Sequence, residues 1–160
     1  MTDETPRKVL FTVGSVLRGD DAAGPMLAKM FEERPVEGWT VIDGGQTPED
    51  DIATVRRMRP DTLVLVDAAC MGLDPGDVRI VDAEDVAQDF LITTHSLPIT
   101  FLLGELQQAC GEVVFLGIQP AGLGFFDPLS MPVRRAIEDI HDRIACGRGF
   151  SDVSHAGVRC

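Results

Sequence analysis

The chain has 160 residues, and its 26 acidic and 14 basic side chains give it a formal net charge of −12. With 44% hydrophobic and 25% charged residues, it has the composition of a globular protein and the length of a single domain. The acidic balance argues against nucleic-acid binding, and no apolar run approaches the ~18–20 residues of a membrane span. The N-terminal residues lack the apolar core of a signal peptide, so we expect a cytosolic protein without membrane insertion.

Strands and helices are predicted to alternate along the chain. Apolar runs rich in β-branched residues predict strands, and apolar residues recurring every three or four positions predict helices. The predicted strands cover residues 9–13, 39–42, 62–66, 78–81 and 113–118. The predicted helices begin near Ala23, Pro48, Leu97 and Val133, the second of them with Thr47 as its N-cap.

This alternation predicts an α/β fold. Strands that alternate with helices build a doubly wound domain, with a mainly parallel twisted sheet of about five strands and helices on both faces. We assign residues 1–147 to this single domain. Residues 148–160 are aperiodic and contain Gly and Ser, so we expect a flexible tail there. Sites in such sheets lie beyond the carboxyl ends of the strands.

Three loops at these strand ends carry polar residues that the fold alone does not require. In the first, residues 14–21, two glycines are followed by Asp20 and Asp21. This loop lacks the Lys of a phosphate-binding loop, and its carboxylates would repel phosphate. One of its two aspartates is expected to cap the next helix. The second loop begins at Asp67, after an apolar strand, and the third holds His95.

Asp21, Asp67 and His95 are the candidate metal ligands. Two carboxylates and one imidazole from three loops could converge above the sheet. This set suits Ni²⁺ or Zn²⁺ and leaves a coordination position open. Each residue also has an ordinary explanation, as a helix cap, a turn residue or a surface-loop histidine.

The four cysteines offer a different chemistry. Cys70, Cys110, Cys146 and Cys160 form no Cys-x-x-Cys pair, so neither a zinc ribbon nor a thioredoxin-type site is indicated. Reduced thiols are expected in a cytosolic chain. A Cys70–His95 pair is an alternative catalytic centre, since a thiolate would suit a protease.

Six short motifs follow one another along the chain in the order that one known family shows. They are Val-Gly-Ser at 13–15, Gly-Asp-Asp-Ala-Ala-Gly-Pro at 19–25, Val-Ile-Asp-Gly-Gly at 41–45, Leu-Val-Asp-Ala at 65–68, Thr-Thr-His at 93–95 and Phe-Leu-Gly-Ile-Gln-Pro at 115–120. With them, the chain resembles the nickel–iron hydrogenase maturation endopeptidases, most closely the type that processes hydrogenase-3-like, membrane-associated enzymes. Ser15 departs from the pattern, because the family usually has Asn there, and Ser lacks the second donor of the amide.

The resemblance implies a role for each matching residue. Asp21, Asp67 and His95 match the residues of the family that contact nickel and carry out catalysis. A glycine-rich loop that serves substrate recognition in the family matches Asp43, Gly44, Gly45, Gln46 and Thr47. On this basis, the metal ligands and the catalytic residues are one and the same set.

The implied activity is hydrolysis of one peptide bond. Members of the family remove a C-terminal extension from the hydrogenase large-subunit precursor after nickel insertion, and the precursor's nickel is the recognition element. The resemblance therefore implies nickel supplied by the substrate, no organic cofactor, the precursor as partner, and a monomeric enzyme of aspartic or metal-assisted type. Metal ligation could polarise the scissile carbonyl or lower the pKa of a bound water, and a carboxylate could act as general base.

Two further interpretations remain open. A phosphoryl-receiver domain also has an acidic pair after its first strand and an aspartate at the end of its third, as do Asp20, Asp21 and Asp67 here. A receiver needs a Lys after its last strand, where this chain has Gln119 and Pro120. The other interpretation is a nickel carrier that does not cleave its partner.

Overall fold

The structure is a computed structural model that describes residues 7–82 and 98–156, and in these residues six strands form one sheet. The strands are β1 (Lys8–Val13), β2 (Trp39–Gly45), β3 (Thr62–Ala68), β4 (Val78–Val81), β5 (Glu112–Ile118) and β6 (His155–Ala156). Their order across the sheet is β2-β1-β3-β5-β4-β6. β1 pairs in parallel with β2 and β3, and β3 with β5, whereas β4 is antiparallel to β5 and parallel to β6.

The central strands are apolar because helices cover both faces of the sheet. Leu63, Val64, Leu65 and Val66 of β3 are all buried, as expected for a parallel strand between two helical layers. The predicted mainly parallel α/β sheet is confirmed. Its short strand at 78–81 is the antiparallel one, and the two-residue β6 was not predicted.

In the part of the chain that the structure describes, four α-helices form the two outer layers, and they are α1 (Ala23–Glu33), α2 (Ile52–Met58), α3 (Ile99–Ala109) and α4 (Met131–Ala145). Val55 of α2 and Leu106 of α3 pack into one core, and Leu27 of α1 and Ile137 of α4 pack into the other. Successive side chains of β1 and β3 alternate between the two cores, as the pleat of a strand requires. Within the described ranges, no helix is long and apolar enough to cross a membrane.

The C-terminal segment differs from its prediction as a flexible tail. Phe150 is buried in the core of α1 and α4, and Val153 packs against that core. The N–H of Ile80 in β4 donates to the carbonyl of Ser154 over 2.9 Å. Residues 148–156 are therefore part of the domain. The two apolar anchors are too few to form a periodic pattern, which is why the sequence did not reveal this packing.

Arg143 of α4 holds the same segment from the side. It donates hydrogen bonds to the carbonyl of Gly149 (2.9 Å) and to the carboxylate of Asp152 (2.5 Å). The predicted tail also includes residues 157–160, which lie outside the described residues.

Candidate active site

The carboxyl ends of β1, β3 and β5 meet at one edge of the sheet, because these strands are parallel neighbours. Asp21 lies in the segment after β1, Asp67 is the penultimate residue of β3, and Gln119 follows β5. Three segments that are distant in sequence thus bring polar groups to the edge where open α/β sheets bind ligands.

Asp21 and Asp67 are both buried at this edge, with 4% and 5% of their surfaces exposed. Burial raises the pKa of Asp67 well above its ordinary value, and the negative charge of Asp21 raises this pKa further. The backbone of Ala68 partly opposes the shift through a hydrogen bond. The structure therefore brings two of the three predicted site residues together as interacting acids.

The position of Asp21 is set by the turn that follows β1. The N–H of Ser15 donates to the Asp21 carboxylate over 2.9 Å, and the N–H of Asp21 donates to the carbonyl of Arg18 over 3.0 Å. Gly14 has a φ of +147°, and a Cβ on it would lie 2.0 Å from the carbonyl oxygen of Asp21. The turn closes this tightly because residue 14 has no side chain.

Asp20 has a different role from the predicted helix cap. The short 3-10 helix Gly19–Ala22 has no side-chain cap bond. The Asp20 carboxylate, which is 1% exposed, instead accepts hydrogen bonds from the N–H of Ala121 (2.7 Å) and from the N–H (2.7 Å) and hydroxyl (2.8 Å) of Ser130. Asp20 therefore ties the loop after β1 to the loop after β5.

Gln119 fixes the segment that follows Asp67. Its side-chain oxygen accepts hydrogen bonds from the N–H groups of Met71 (2.6 Å) and Leu73 (3.3 Å). This side chain was not predicted to have a role from the sequence. The available signal was its position directly after a buried strand, where a long amide reaches the loop of the neighbouring strand.

The predicted recognition segment, residues 43–47, runs alongside the end of β1. The side-chain oxygen of Asp43 accepts from the hydroxyl of Thr12 (3.4 Å) and from the N–H of Gly45 (3.1 Å). The N–H of Gly14 donates to the carbonyl of Gly45 over 3.0 Å. β2 continues through Gly45, past its predicted end at residue 42, and Gln46 and Thr47 are exposed beyond it.

Thr47 precedes a turn of 3-10 helix, and its side chain makes no cap bond, contrary to prediction. Its carbonyl accepts from the N–H of Asp50 over 3.0 Å instead. The tight turn Pro48–Asp51 comes first, so the α-helix α2 begins only at Ile52. The segment therefore stays beside the acids rather than becoming part of the helix.

Large apolar side chains are exposed on the same two loops that Asp20 joins. They are Val16, Leu17, Phe125 and Phe126, which we call the apolar rim. The N–H of Phe126 donates to the carbonyl of Leu17 over 2.8 Å. These residues were not predicted to be functional, because their proximity depends on a contact between two loops that are distant in sequence.

Comparisons with known proteins show the family to which the chain belongs. The family model for HycI, hydrogenase maturation protease, matches residues 25–146. The chain belongs to the hydrogenase maturation protease family. It is 46% identical to the hydrogenase 3 maturation protease of Escherichia coli K12 over 150 residues, which cover 94% of this chain and 96% of that protein.

Solved structures show the same fold for this maturation protease. A crystal structure of the hydrogenase 3 maturation protease gives a TM-score of 0.87 at 42% identity, covering 96% of this chain and 98% of that one. HycI from Thermococcus kodakarensis gives 0.75 at 27% identity, covering 87% and 90%. The chain is therefore a peptidase with the predicted single α/β domain.

The third candidate ligand of the maturation protease, His95, lies outside the described residues. Among residues 7–82 and 98–156, no group of three or more His, Cys, Asp or Glu side chains could hold a metal ion. Asp21 and Asp67 are the two described members of the proposed set. Cys70, the alternative nucleophile, is half-buried three residues after Asp67.

Ser15 and the phosphoryl-receiver alternative were two further questions that the sequence raised. The departure at Ser15 leaves the contact to Asp21 intact, because the donor is the backbone N–H. The comparisons do not support the phosphoryl-receiver alternative, since the matches reported above are hydrogenase maturation proteases. In addition, the carboxylate of Asp20 is occupied by loop contacts to Ala121 and Ser130.

Proposed function

We propose that this maturation protease removes the C-terminal extension of a nickel–iron hydrogenase large-subunit precursor after nickel insertion, and that it recognises the nickel in the precursor. The observation that carries the proposal is the pair of buried acids, Asp21 and Asp67, at the carboxyl edge of the sheet. Family membership supports the peptidase activity and the class of substrate. We place the reaction in the cytosol, in keeping with the sequence prediction.

The electrostatics of the two acids suit a cation that arrives with the substrate. Burial is the main cause that raises the pKa of Asp67, and the negative charge of the neighbouring Asp21 adds to it, so ionising both carboxylates costs free energy. A divalent cation beside them would offset this cost and favour the ionised forms. A precursor that carries nickel is therefore bound more favourably than one that lacks it.

Bond cleavage at this pair needs a polarised carbonyl and a proton acceptor. Nickel held near Asp21 and Asp67 would polarise the scissile carbonyl. An ionised carboxylate can accept the proton of the attacking water, and a protonated one can return it to the leaving amine. We propose His95 as the third ligand, because imidazole suits nickel.

The segment Asp43, Gly44, Gly45, Gln46 and Thr47 is proposed to contact the precursor. A Cβ on Gly44 would lie 2.6 Å from a ring carbon of Phe11 and 2.9 Å from the carbonyl oxygen of Thr12. Its backbone therefore packs directly on β1. The exposed Gln46 and Thr47 are proposed to face a bound peptide at the same edge of the sheet as the acids.

Nickel dependence is the direct test of the proposal. We expect the native protein to shorten nickel-loaded precursor and to leave nickel-free precursor uncut, even in excess, because the acids then meet no cation. Mass spectrometry of the precursor reports the loss of the C-terminal extension. Equal cleavage of the two forms would show that the tail sequence alone is recognised. Binding of nickel-loaded precursor without cleavage would favour the nickel-carrier alternative.

His95→Ala tests whether His95 takes part in the reaction, and Cys70→Ala separates metal-directed from thiol chemistry. We expect His95→Ala to reduce processing by roughly a hundredfold or more, because it removes a ligand that positions nickel. We expect Cys70→Ala to leave processing nearly unchanged, because the proposal gives its thiol no role. The initial rates on nickel-loaded precursor measure both. An inactive Cys70→Ala would replace the metal site with a thiol protease in which His95 pairs with Cys70.

A further inference from the structure

We propose that the apolar rim, formed by Val16, Leu17, Phe125 and Phe126, is the surface on which the apolar side chains of the precursor next to the scissile bond dock. This inference rests on the proposed function, since it names the part of the enzyme that receives the same substrate. None of these four residues belongs to the acid pair or to residues 43–47.

Backbone hydrogen bonds between its two loops hold the rim in place. Leu17 accepts a hydrogen bond from the N–H of Phe126 over 2.8 Å, and Arg18 forms an antiparallel bridge with Phe125. Two residues after Arg18, the N–H of Asp20 donates to the carbonyl of Gly122 over 2.9 Å. The apolar side chains are therefore displayed on a backbone that is already ordered, which reduces the entropy cost of binding.

The close approach of the loop after β1 to the loop after β5 also requires a glycine at position 19. This residue has a φ of +53°, and a Cβ on it would lie 2.6 Å from the carbonyl oxygen of Gly122. Any side chain at position 19 would push the loops apart. The local sequence is therefore suited to bring Leu17 and Phe126 side by side.

The backbone of Phe126 has a conformation that is unfavourable for a bulky residue and that burial of the side chain does not offset. Its φ is +62°, in the left-handed region that bulky residues rarely adopt, and its side chain is 83% exposed. The backbone is strained, and the ring gains little burial in return. Strain of this kind is typical of binding surfaces, where a partner provides the compensating contact.

The rim is continuous with the acid pair. The N–H of Ser15 donates to the carboxylate of Asp21, and the hydroxyl of Ser15 accepts from the N–H of Leu17 over 3.3 Å. A single hydrogen-bonded turn thus connects the reaction site to the rim. A polypeptide with its scissile bond at Asp21 has flanking residues within reach of Leu17.

Charge favours the precursor over a second copy of this chain. Each chain carries a net charge of −12, so two copies repel each other, and the rim would have to overcome that repulsion. Arg18 lies inside the rim, with its guanidinium carbon 5.0 Å from the centre of the Phe125 ring. The rim is therefore an apolar surface that contains one cationic side chain, and it suits an apolar segment of the precursor.

The test compares a double rim variant with a matched control. Leu17→Ser with Phe126→Asn removes two apolar side chains, and Asn tolerates the left-handed backbone at residue 126. Phe101→Ser is the control, because Phe101 is an exposed phenylalanine on α3, in the opposite helical layer. We expect the double variant to raise the KM for nickel-loaded precursor by about tenfold or more, with kcat changed by less than about threefold. The melting temperature should not fall, and Phe101→Ser should behave like the native protein.

Several outcomes would overturn the proposal. They are an unchanged KM in the double variant, an equal rise in KM with Phe101→Ser, and a native dimer that the double variant dissociates without loss of precursor binding. If the native protein leaves nickel-loaded precursor uncut, the proposed function fails. Docking of the precursor on the rim is then tested separately, by whether the precursor binds. In that case, co-elution of precursor with the native protein but not with the double variant supports docking, and equal co-elution refutes it.

Discussion

Replacing Asp67 with Asn is expected to reduce cleavage of nickel-loaded precursor by about a thousandfold while making the folded protein more stable at neutral pH. The activity falls because the amide can neither accept a proton as a carboxylate does nor offset the charge of a cation. The stability rises because Asn removes an acid that is buried beside Asp21. Initial rates measure the first effect, and urea unfolding measures the second.

The stability gain should depend on pH in a defined direction. The pKa of Asp67 is higher in the folded protein than the ~3.9 of an unfolded aspartate. Between these two values the folded state binds more protons, so the contribution of Asp67 to stability is complete below pH ~3.9 and is lost as the pH rises through the folded pKa. Asn does not titrate. The advantage of Asp67→Asn should therefore grow with pH, by at most ~1.4 kcal/mol per pH unit.

Two variants control this experiment. Asp139→Asn makes the same charge change on the exposed face of α4 and should alter neither processing nor the free energy of unfolding by more than about 0.5 kcal/mol. Asp21→Asn should abolish processing as Asp67→Asn does. A destabilised Asp67→Asn, or a gain that shrinks as the pH rises, would contradict the buried acid pair.

Replacing Asp20 with Ala is expected to cost roughly 2–4 kcal/mol of unfolding free energy, because three partly buried hydrogen-bond donors lose a charged acceptor. These donors are the N–H of Ala121 and both the N–H and the hydroxyl of Ser130. Processing should fall as well, since the turn that carries Asp21 loses its link to the loop after β5. Urea unfolding and precursor cleavage report the two effects.

Asp127→Ala is the matched control for Asp20, because Asp127 is an exposed aspartate in the same loop after β5. It should change the free energy of unfolding by less than about 0.5 kcal/mol. A loss below about 1 kcal/mol for Asp20→Ala would show that the loop contacts of Asp20 contribute little. A stable Asp20→Ala with full activity would remove its role in joining the two loops.

The features that the sequence revealed are those with a local pattern. The run Leu63–Val66 predicts a buried parallel strand, and the Asp67 that follows is placed at the sheet edge by that strand alone. The same reasoning places Asp21 after β1. The proximity of Asp21 and Asp67 then requires both the parallel pairing of β1 and β3 and the turn that brings Asp21 back to Ser15. The family resemblance added the chemistry, which spacing alone could not specify.

The features that the sequence did not reveal depend on long-range contacts. Asp20 looks like a helix cap because its partners, Ala121 and Ser130, lie 101 and 110 residues away. Phe125 and Phe126 look like ordinary loop residues until the loop after β1 is placed beside them. Secondary-structure propensities and hydrophobic periodicity do not predict contacts between two loops, because the local sequence of each loop is compatible with many positions of that loop relative to the other.

The packed C-terminal segment has a consequence for the behaviour of the sheet in a crowded solution. β6 occupies the outer side of β4 at Ile80 and Val81, where unpaired N–H and C=O groups would otherwise face solvent. Free strand edges of this kind recruit strands from other molecules and begin aggregation. The segment that Phe150 and Arg143 hold in place therefore protects an edge of the sheet, and loosening it would expose the backbone of β4, which is separated from Asp67 only by β5.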